Sequence, residues 1–161
     1  MKTIKMKKIL IAIDYDPTAQ KVAEHGFSLA KAMDAEVILL HVVTDPVYYS
    51  SMEYSPIVGY TGYETLDPLL GNTAVEIRKA AQFFLDKLKL HLKDDTIKTY
   101  IGEGDFSQSI LESAKSVHAD IIVIGSHSHS WLSDAIMGSV TSEVLHKSTI
   151  PLFIIPTKKG N

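Results

Sequence analysis

The amino-acid sequence predicts an α/β domain of three layers: a doubly wound, five-stranded parallel sheet with four main helices packed on its two faces. Three observations predict it. Short apolar runs scarcely alternate, the segments between them carry three-and-four apolar spacing, and the two patterns take turns along the chain. Strands covered on both faces read as continuous apolar runs, and parallel strands need crossovers of helical length. Right-handed crossovers then distribute the helices over both faces.

The elements follow in order. Residues 9–14 form the expected first strand. Val22, Ala23, Gly26, Phe27, Ala30 and Met33 then share one face of a helix expected over 18–33. The second strand is 36–43, and Ile77, Ala81, Phe84, Leu88 and Leu92 predict a second helix over 73–92. The run 96–101 does alternate, with Ile97, Thr99 and Ile101 set against Lys98 and Tyr100, which predicts a strand nearer a sheet edge. Ile110, Leu111, Ala114 and Val117 mark a third helix, with Asp105 or Ser107 as its cap. The fourth strand is 120–125. Val140, Val144 and Leu145 mark a fourth helix that starts at Gly138-Ser139 and stops before Pro151, and 152–156 is the last strand.

One segment breaks the alternation. Residues 44–72 hold five tyrosines, three prolines and three glycines without sustained periodicity. Connections of this length in compact domains act as lids or partner surfaces, or are plain surface loops. Because this one leaves the second strand at its carboxyl end, a lid over the strand ends is the sharper reading. The expected organisation is one domain over 6–157, with residues 1–5 as a leader and 158–161 as a tail.

Composition narrows the function classes. At 161 residues the chain can bury a full core without metals or staples. It contains no cysteine, which excludes disulfides, thiolate metal sites and cysteine nucleophiles. A net charge of −3 offers no general field for nucleic acid or anionic lipid. No apolar stretch approaches the roughly 18–20 residues of a membrane span, and the run 9–13 is too short for a signal segment. The expectation is a cytoplasmic protein with neither a nucleic-acid nor a membrane partner.

In an open parallel sheet, ligands bind outside the carboxyl ends of the strands, where the winding reverses. After the first strand stands Asp14, without the Gly-rich turn of a dinucleotide fold. Its carboxylate suits the paired hydroxyls of a ribose or a magnesium ion, and equally a turn leading into the first helix. After the fourth strand, Gly125 opens a loop that closes at Gly138-Ser139, thirteen residues on. Glycines let backbone N–H groups approach a phosphate, and a helix N-terminus adds donors and a favourable dipole. The same glycines also fit a strand-end turn and an N-cap. His127 and His129 in this loop read as phosphate donors, solvated residues or a metal pair lacking a third ligand set by spacing. Trp131 covers the site, anchors a partner or packs under the loop, and His41 reads as a hydrogen-bonded core residue.

Two relatives of the pattern fail. A phospho-receiver domain needs an aspartate closing the third strand and a lysine closing the fifth. Here the third ends Tyr100-Ile101-Gly102, and Lys158 and Lys159 follow Pro156. A flavodoxin-type domain needs a Ser/Thr-rich phosphate turn after the first strand, which residues 14–18 do not supply.

These residues resemble the universal stress proteins, from about Met6 to Pro156. The likeness rests on Lys7-Lys8-Ile9-Leu10-Ile11-Ala12-Ile13-Asp14, Gly104-Asp105 and Ala119-Asp120-Ile121-Ile122-Val123-Ile124-Gly125-Ser126-His127. Gly138-Ser139-Val140-Thr141 and Ile150-Pro151-Leu152-Phe153-Ile154-Ile155-Pro156 complete it. The resemblance implies an adenine-nucleotide alpha hydrolase-like, Rossmann-like fold and a role in stress response. The family's ATP-binding branch carries glycine, two residues, glycine, nine residues, then glycine with serine or threonine. Gly125, Gly138 and Ser139 match that pattern, and Ser128 stands where its middle glycine would be. By resemblance, Asp14 faces the ribose and the backbone at Val42 faces the adenine. Ser126, His127, Ser128, Ser139 and Val140 then surround the phosphates with Gly125 and Gly138. The ligand so implied is ATP, with or without Mg2+, or else AMP or cyclic AMP. Binding is weakened rather than lost at Ser128, and turnover is at most slow ATP hydrolysis. The resemblance also implies a homodimer paired through the last strand, Leu152 to Ile155. The alternative is a dimeric interaction module that has lost the nucleotide.

Overall fold

The computed structural model describes residues 3, 5–44, 74–126 and 137–157. The tail, most of the leader and nearly all of the 44–72 connection lie outside the described residues, as do His127, Ser128, His129 and Trp131. The described elements run β1 (Lys8–Ala12), α1 (Ala19–Ala32), β2 (Glu36–Val43), α2 (Ala74–Leu92), β3 (Lys98–Glu103), α3 (Phe106–Ser116), β4 (Ile121–Gly125), α4 (Ser139–Lys147) and β5 (Leu152–Ile155). They make one five-stranded sheet in the order β3-β2-β1-β4-β5, parallel throughout. The expected doubly wound fold is the observed one.

Strand periodicity splits the apolar runs between two cores. Ile9, Ile11, Val37, Leu39 and Val123 point to one face, where α1 and α2 cover them with Val22, Ala23, Phe84 and Leu88. Leu10, Ala12, Ile38, Leu40, Ile122 and Ile124 point to the other, beneath Ile110 and Ala114 of α3 and Val144 of α4. Because both faces are buried, the runs do not alternate in polarity. Gly26 sets how closely α1 approaches: a Cβ there would stand 2.7 Å from Ile11 Cδ1 and 3.1 Å from Val123 Cγ1.

Several boundaries differ from the sequence expectation. β3 begins two residues late, because the Asp94 carboxylate accepts the N–H and hydroxyl of Thr96 and holds that segment in a turn. It then runs on through Gly102, which sits under α3 where a Cβ would lie 2.4 Å from Ser109 Oγ. β1 stops at Ala12 rather than Asp14, because the Asp14 side chain accepts the N–H of Asp16 and turns the chain away. β5 stops at Ile155, before Pro156, which has no N–H for the ladder. Strands β3 and β5 are the two sheet edges.

From β1 the chain steps outward to β2 and β3, then returns to the far side of β1 for β4 and β5. The winding reverses between β1 and β4. At the amino end this join is closed by Asp120, whose Oδ2 accepts the N–H groups of Lys7 and Lys8 at 2.8 and 2.9 Å. At the carboxyl end it opens.

Candidate functional site

Two departing loops open the carboxyl end. Asp14 Oδ1 accepts the Asp16 N–H at 3.0 Å, and Asp16 Oδ1 accepts the N–H and hydroxyl of Thr18 at 2.8 and 2.6 Å. These successive side-chain turns carry the chain off the sheet and into α1. On the other side β4 ends at Gly125, and the chain is next anchored where the Gly138 N–H donates to the Ser126 carbonyl at 2.7 Å. The Thr141 hydroxyl donates to the Gly125 carbonyl, also at 2.7 Å. Both ends of the Gly125-to-Ser139 loop therefore meet at one point beside β4.

Between the departing chains lies a cavity of about 350 Å³. Its walls are mainly apolar: Ala12, Leu40, Val42, Ile110, Ile124 and Phe106. Asp14 and Thr18 add polar groups on the β1 side, and Ser139 and Thr141 on the α4 side. Gly138 is the N-cap of α4 and supplies no side-chain cap. The first turn of a helix has N–H groups without intrahelical acceptors, and its dipole favours negative charge. This end of the cavity therefore suits an anion, while the apolar walls suit a flat apolar group.

The β2 wall adds a directional feature. In a parallel ladder, alternate residues address alternate neighbours. Leu40 addresses β1, because its carbonyl accepts the Ile13 N–H at 2.9 Å. Val42 is the next β2 residue on that side, but pairing between β1 and β2 ends at Ala12 with Leu40. The Val42 peptide thus faces the gap left by β1.

Of the residues singled out in the sequence, Asp14, Val42, Gly125, Ser139 and Val140 line the cavity. Gly138 frames it from the α4 cap. Ser126 lies behind: its N–H donates to the Ile155 carbonyl, and its hydroxyl accepts the Thr157 N–H at 3.0 Å. His127 and Ser128 lie outside the described residues. His41 is the expected buried core residue, 2% exposed, with Nδ1 2.9 Å from the Ile13 carbonyl and its ring 4.3 Å from Tyr15. It also borders the cavity.

Sequence reading missed Phe106, Ile110 and Thr141. A helix begun by an aspartate cap at the carboxyl end of β3 was the available signal for the first two. The Asp105 carboxylate accepts the Gln108 N–H at 3.0 Å and the Ser107 hydroxyl at 2.9 Å. Those bonds, the Gln108 one foremost, hold its carboxyl below the usual carboxylate range, so the cap stays charged as it sets Phe106 at the cavity wall.

Fold and cleft together define a doubly wound α/β domain with a ligand-sized opening at the switch point of its sheet. The chain belongs to the Universal stress protein family, whose profile matches residues 5–156. Universal stress protein MJ0577 of Methanocaldococcus jannaschii is 27% identical over 161 residues, covering 98% of this chain and 99% of that protein. The solved structure of MJ0577 superposes with a TM-score of 0.69 at 28% identity, over 98% of this chain and 100% of that one. Two more distant structures share the fold. One is a universal stress protein in complex with cAMP, at TM-score 0.61 and 16% identity, over 96% of this chain and 100% of that one. The other is the Archaeoglobus fulgidus protein in complex with dAMP, at TM-score 0.58 and 16% identity, over 94% of this chain and 98% of that one. Among the described residues, no helix is long and apolar enough to cross a membrane.

Proposed function

We propose that this chain is a nucleotide-binding regulatory module of the stress response that takes an adenine nucleotide, ATP or AMP, in the cleft between β1 and β4. One observation carries the reading. Along a single cavity of about 350 Å³ stand an apolar slot with the Val42 peptide edge, the Asp14 carboxylate and the uncapped N-terminus of α4. That order matches base, ribose and phosphate. The volume falls within the roughly 300–1,000 Å³ of small-molecule sites. The slot accepts a flat base, the peptide edge offers it a donor and an acceptor, and the carboxylate suits vicinal hydroxyls. Magnesium, where present, would take most of its ligands from phosphate oxygens and water, with Asp14 the nearest carboxylate of the cavity lining. The distant relatives solved with cAMP and dAMP support an adenine ligand.

Titration calorimetry with magnesium-ATP, AMP and cyclic AMP tests this. Saturable binding of at least one is expected; no heat with any of them removes the reading. Labelled ATP followed over hours then tells a binder from a slow hydrolase.

The β5 edge supports a homodimer. It is an edge strand of apolar sequence whose Phe153 is 40% exposed, and such an edge invites pairing with a second copy. Sedimentation is expected to show a dimer that Phe153→Lys disrupts. A wild-type monomer at tens of micromolar would contradict it.

A further inference from the structure

We propose that His41 is a positioning residue for the cleft. By holding the Ile13 carbonyl with its imidazole, it keeps the β1 turn off β2 and leaves the Val42 peptide edge open to a ligand's base. The identity of that ligand rests on the nucleotide reading above; the hold on the edge rests on ladder geometry.

Continued parallel pairing would hand the Ile13 carbonyl to the Val42 N–H and close the edge that lines the cavity. Pairing stops one step earlier, at Ala12 with Leu40. The Ile13 carbonyl lies 2.9 Å from His41 Nδ1. A carbonyl oxygen only accepts, so the imidazole carries its proton on Nδ1 and donates it. His41 can reach because its side chain lies on the sheet face opposite to those of Leu40 and Val42, beside Ile13. There its ring is held between Tyr15 at 4.3 Å and Phe84 at 5.5 Å, which fixes the direction of Nδ1. A buried carbonyl needs a donor, and the side chain supplies one without using the strand backbone. An apolar residue at position 41 has no such donor. The Ile13 carbonyl would then turn to Val42, and the turn carrying Asp14 would move with it.

Nitrogen-15 NMR of the free wild-type protein tests the geometry directly. The His41 ring is expected to be protonated at Nδ1, with a coupling through the hydrogen bond to the Ile13 carbonyl. A ring protonated only at Nε2 overturns the proposal. In His41→Leu, the Val42 amide is expected to gain protection against hydrogen exchange, and ATP affinity to fall about tenfold, the scale of one lost hydrogen bond. Affinity for tripolyphosphate, which has no base, should hold. His41→Asn, whose amide offers a donor near the Nδ1 position, should restore both readouts. Equal ATP affinity in folded His41→Leu and wild type overturns the proposal, as does an equal loss for ATP and tripolyphosphate. Should His41→Leu fail to fold, the wild-type tautomer and His41→Asn decide. If wild type binds no adenine nucleotide while the tautomer and Val42 exchange are as stated, the nucleotide reading falls and the role of His41 in holding the edge stands.

Discussion

Replacing Phe84 with alanine is expected to lower folding stability by about 3–5 kcal/mol. Phe84 is fully buried on α2 and packs edge-on against Tyr15 at 4.9 Å and against His41 at 5.5 Å. The loss combines the transfer free energy of the ring with a cavity that a sheet backbone, paired on both sides, cannot collapse to fill. Aromatic edge contacts add roughly 0.5–1.5 kcal/mol of that total. Single domains are stable by only about 5–15 kcal/mol, so the midpoint of urea unfolding should move far to lower concentration. A loss below about 1.5 kcal/mol would mean that the triad of Tyr15, His41 and Phe84 is not a packed unit. The effect also reaches the cleft. With Phe84 removed, the His41 ring gains freedom, and nucleotide affinity should fall in the protein that remains folded.

The second large effect is expected from Ser139→Asp. Ser139 is exposed in the first turn of α4 and lines the cavity. A carboxylate there complements the helix dipole and should leave stability unchanged or raise it by about 0.3–1 kcal/mol. A bound phosphate feels the opposite. At roughly 6 Å and an effective dielectric near 20, the repulsion is about 3 kcal/mol before salt screening. Affinity for ATP should therefore fall by about ten- to a hundredfold while the melting temperature does not. Adenosine, which lacks phosphate, should bind the variant and wild type alike, and Ser139→Asn should bind ATP close to the wild-type level. Undiminished ATP affinity in the aspartate variant would remove the phosphate from the α4 end of the cavity. The two variants separate packing from electrostatics, because one moves stability and the other moves only binding.

Much of the fold was legible because it rests on local patterns. A run such as Ile9 to Ile13 can only be satisfied by cover on two faces, and that demand requires crossover helices with their own periodicity. The alternation of 96–101 identified an edge strand, and β3 is one. Its limits were misplaced because a side-chain turn at Asp94 outbids strand propensity at Thr96, and because Gly102 sits in the strand beneath the serines of α3. The site was legible in part. Asp14 follows β1 by two residues and Gly125 closes β4, so the rule of the carboxyl ends pointed to them. Phe106 was signalled only by the Asp105 cap beside it and Thr141 by nothing local, since neighbouring residues do not tell that α3 and α4 lean over the same gap. The partner of the Ser126 hydroxyl was not legible either, since it meets Thr157, thirty-one positions away.

By itself, the sequence determined the elements, their order and their parallel sense, because apolar periodicity and crossover length are properties of neighbouring residues. It also placed Asp14, Gly125, Gly138 and Ser139 at strand and helix ends. Only the tertiary structure decided that β1 stops short of β2, that the His41 imidazole reaches the Ile13 carbonyl, and that a cavity opens between β1 and β4. Those facts depend on which strands become neighbours and how deeply each helix seats. Such pairings join residues far apart in the chain, and their free energies exist only once the sheet has formed.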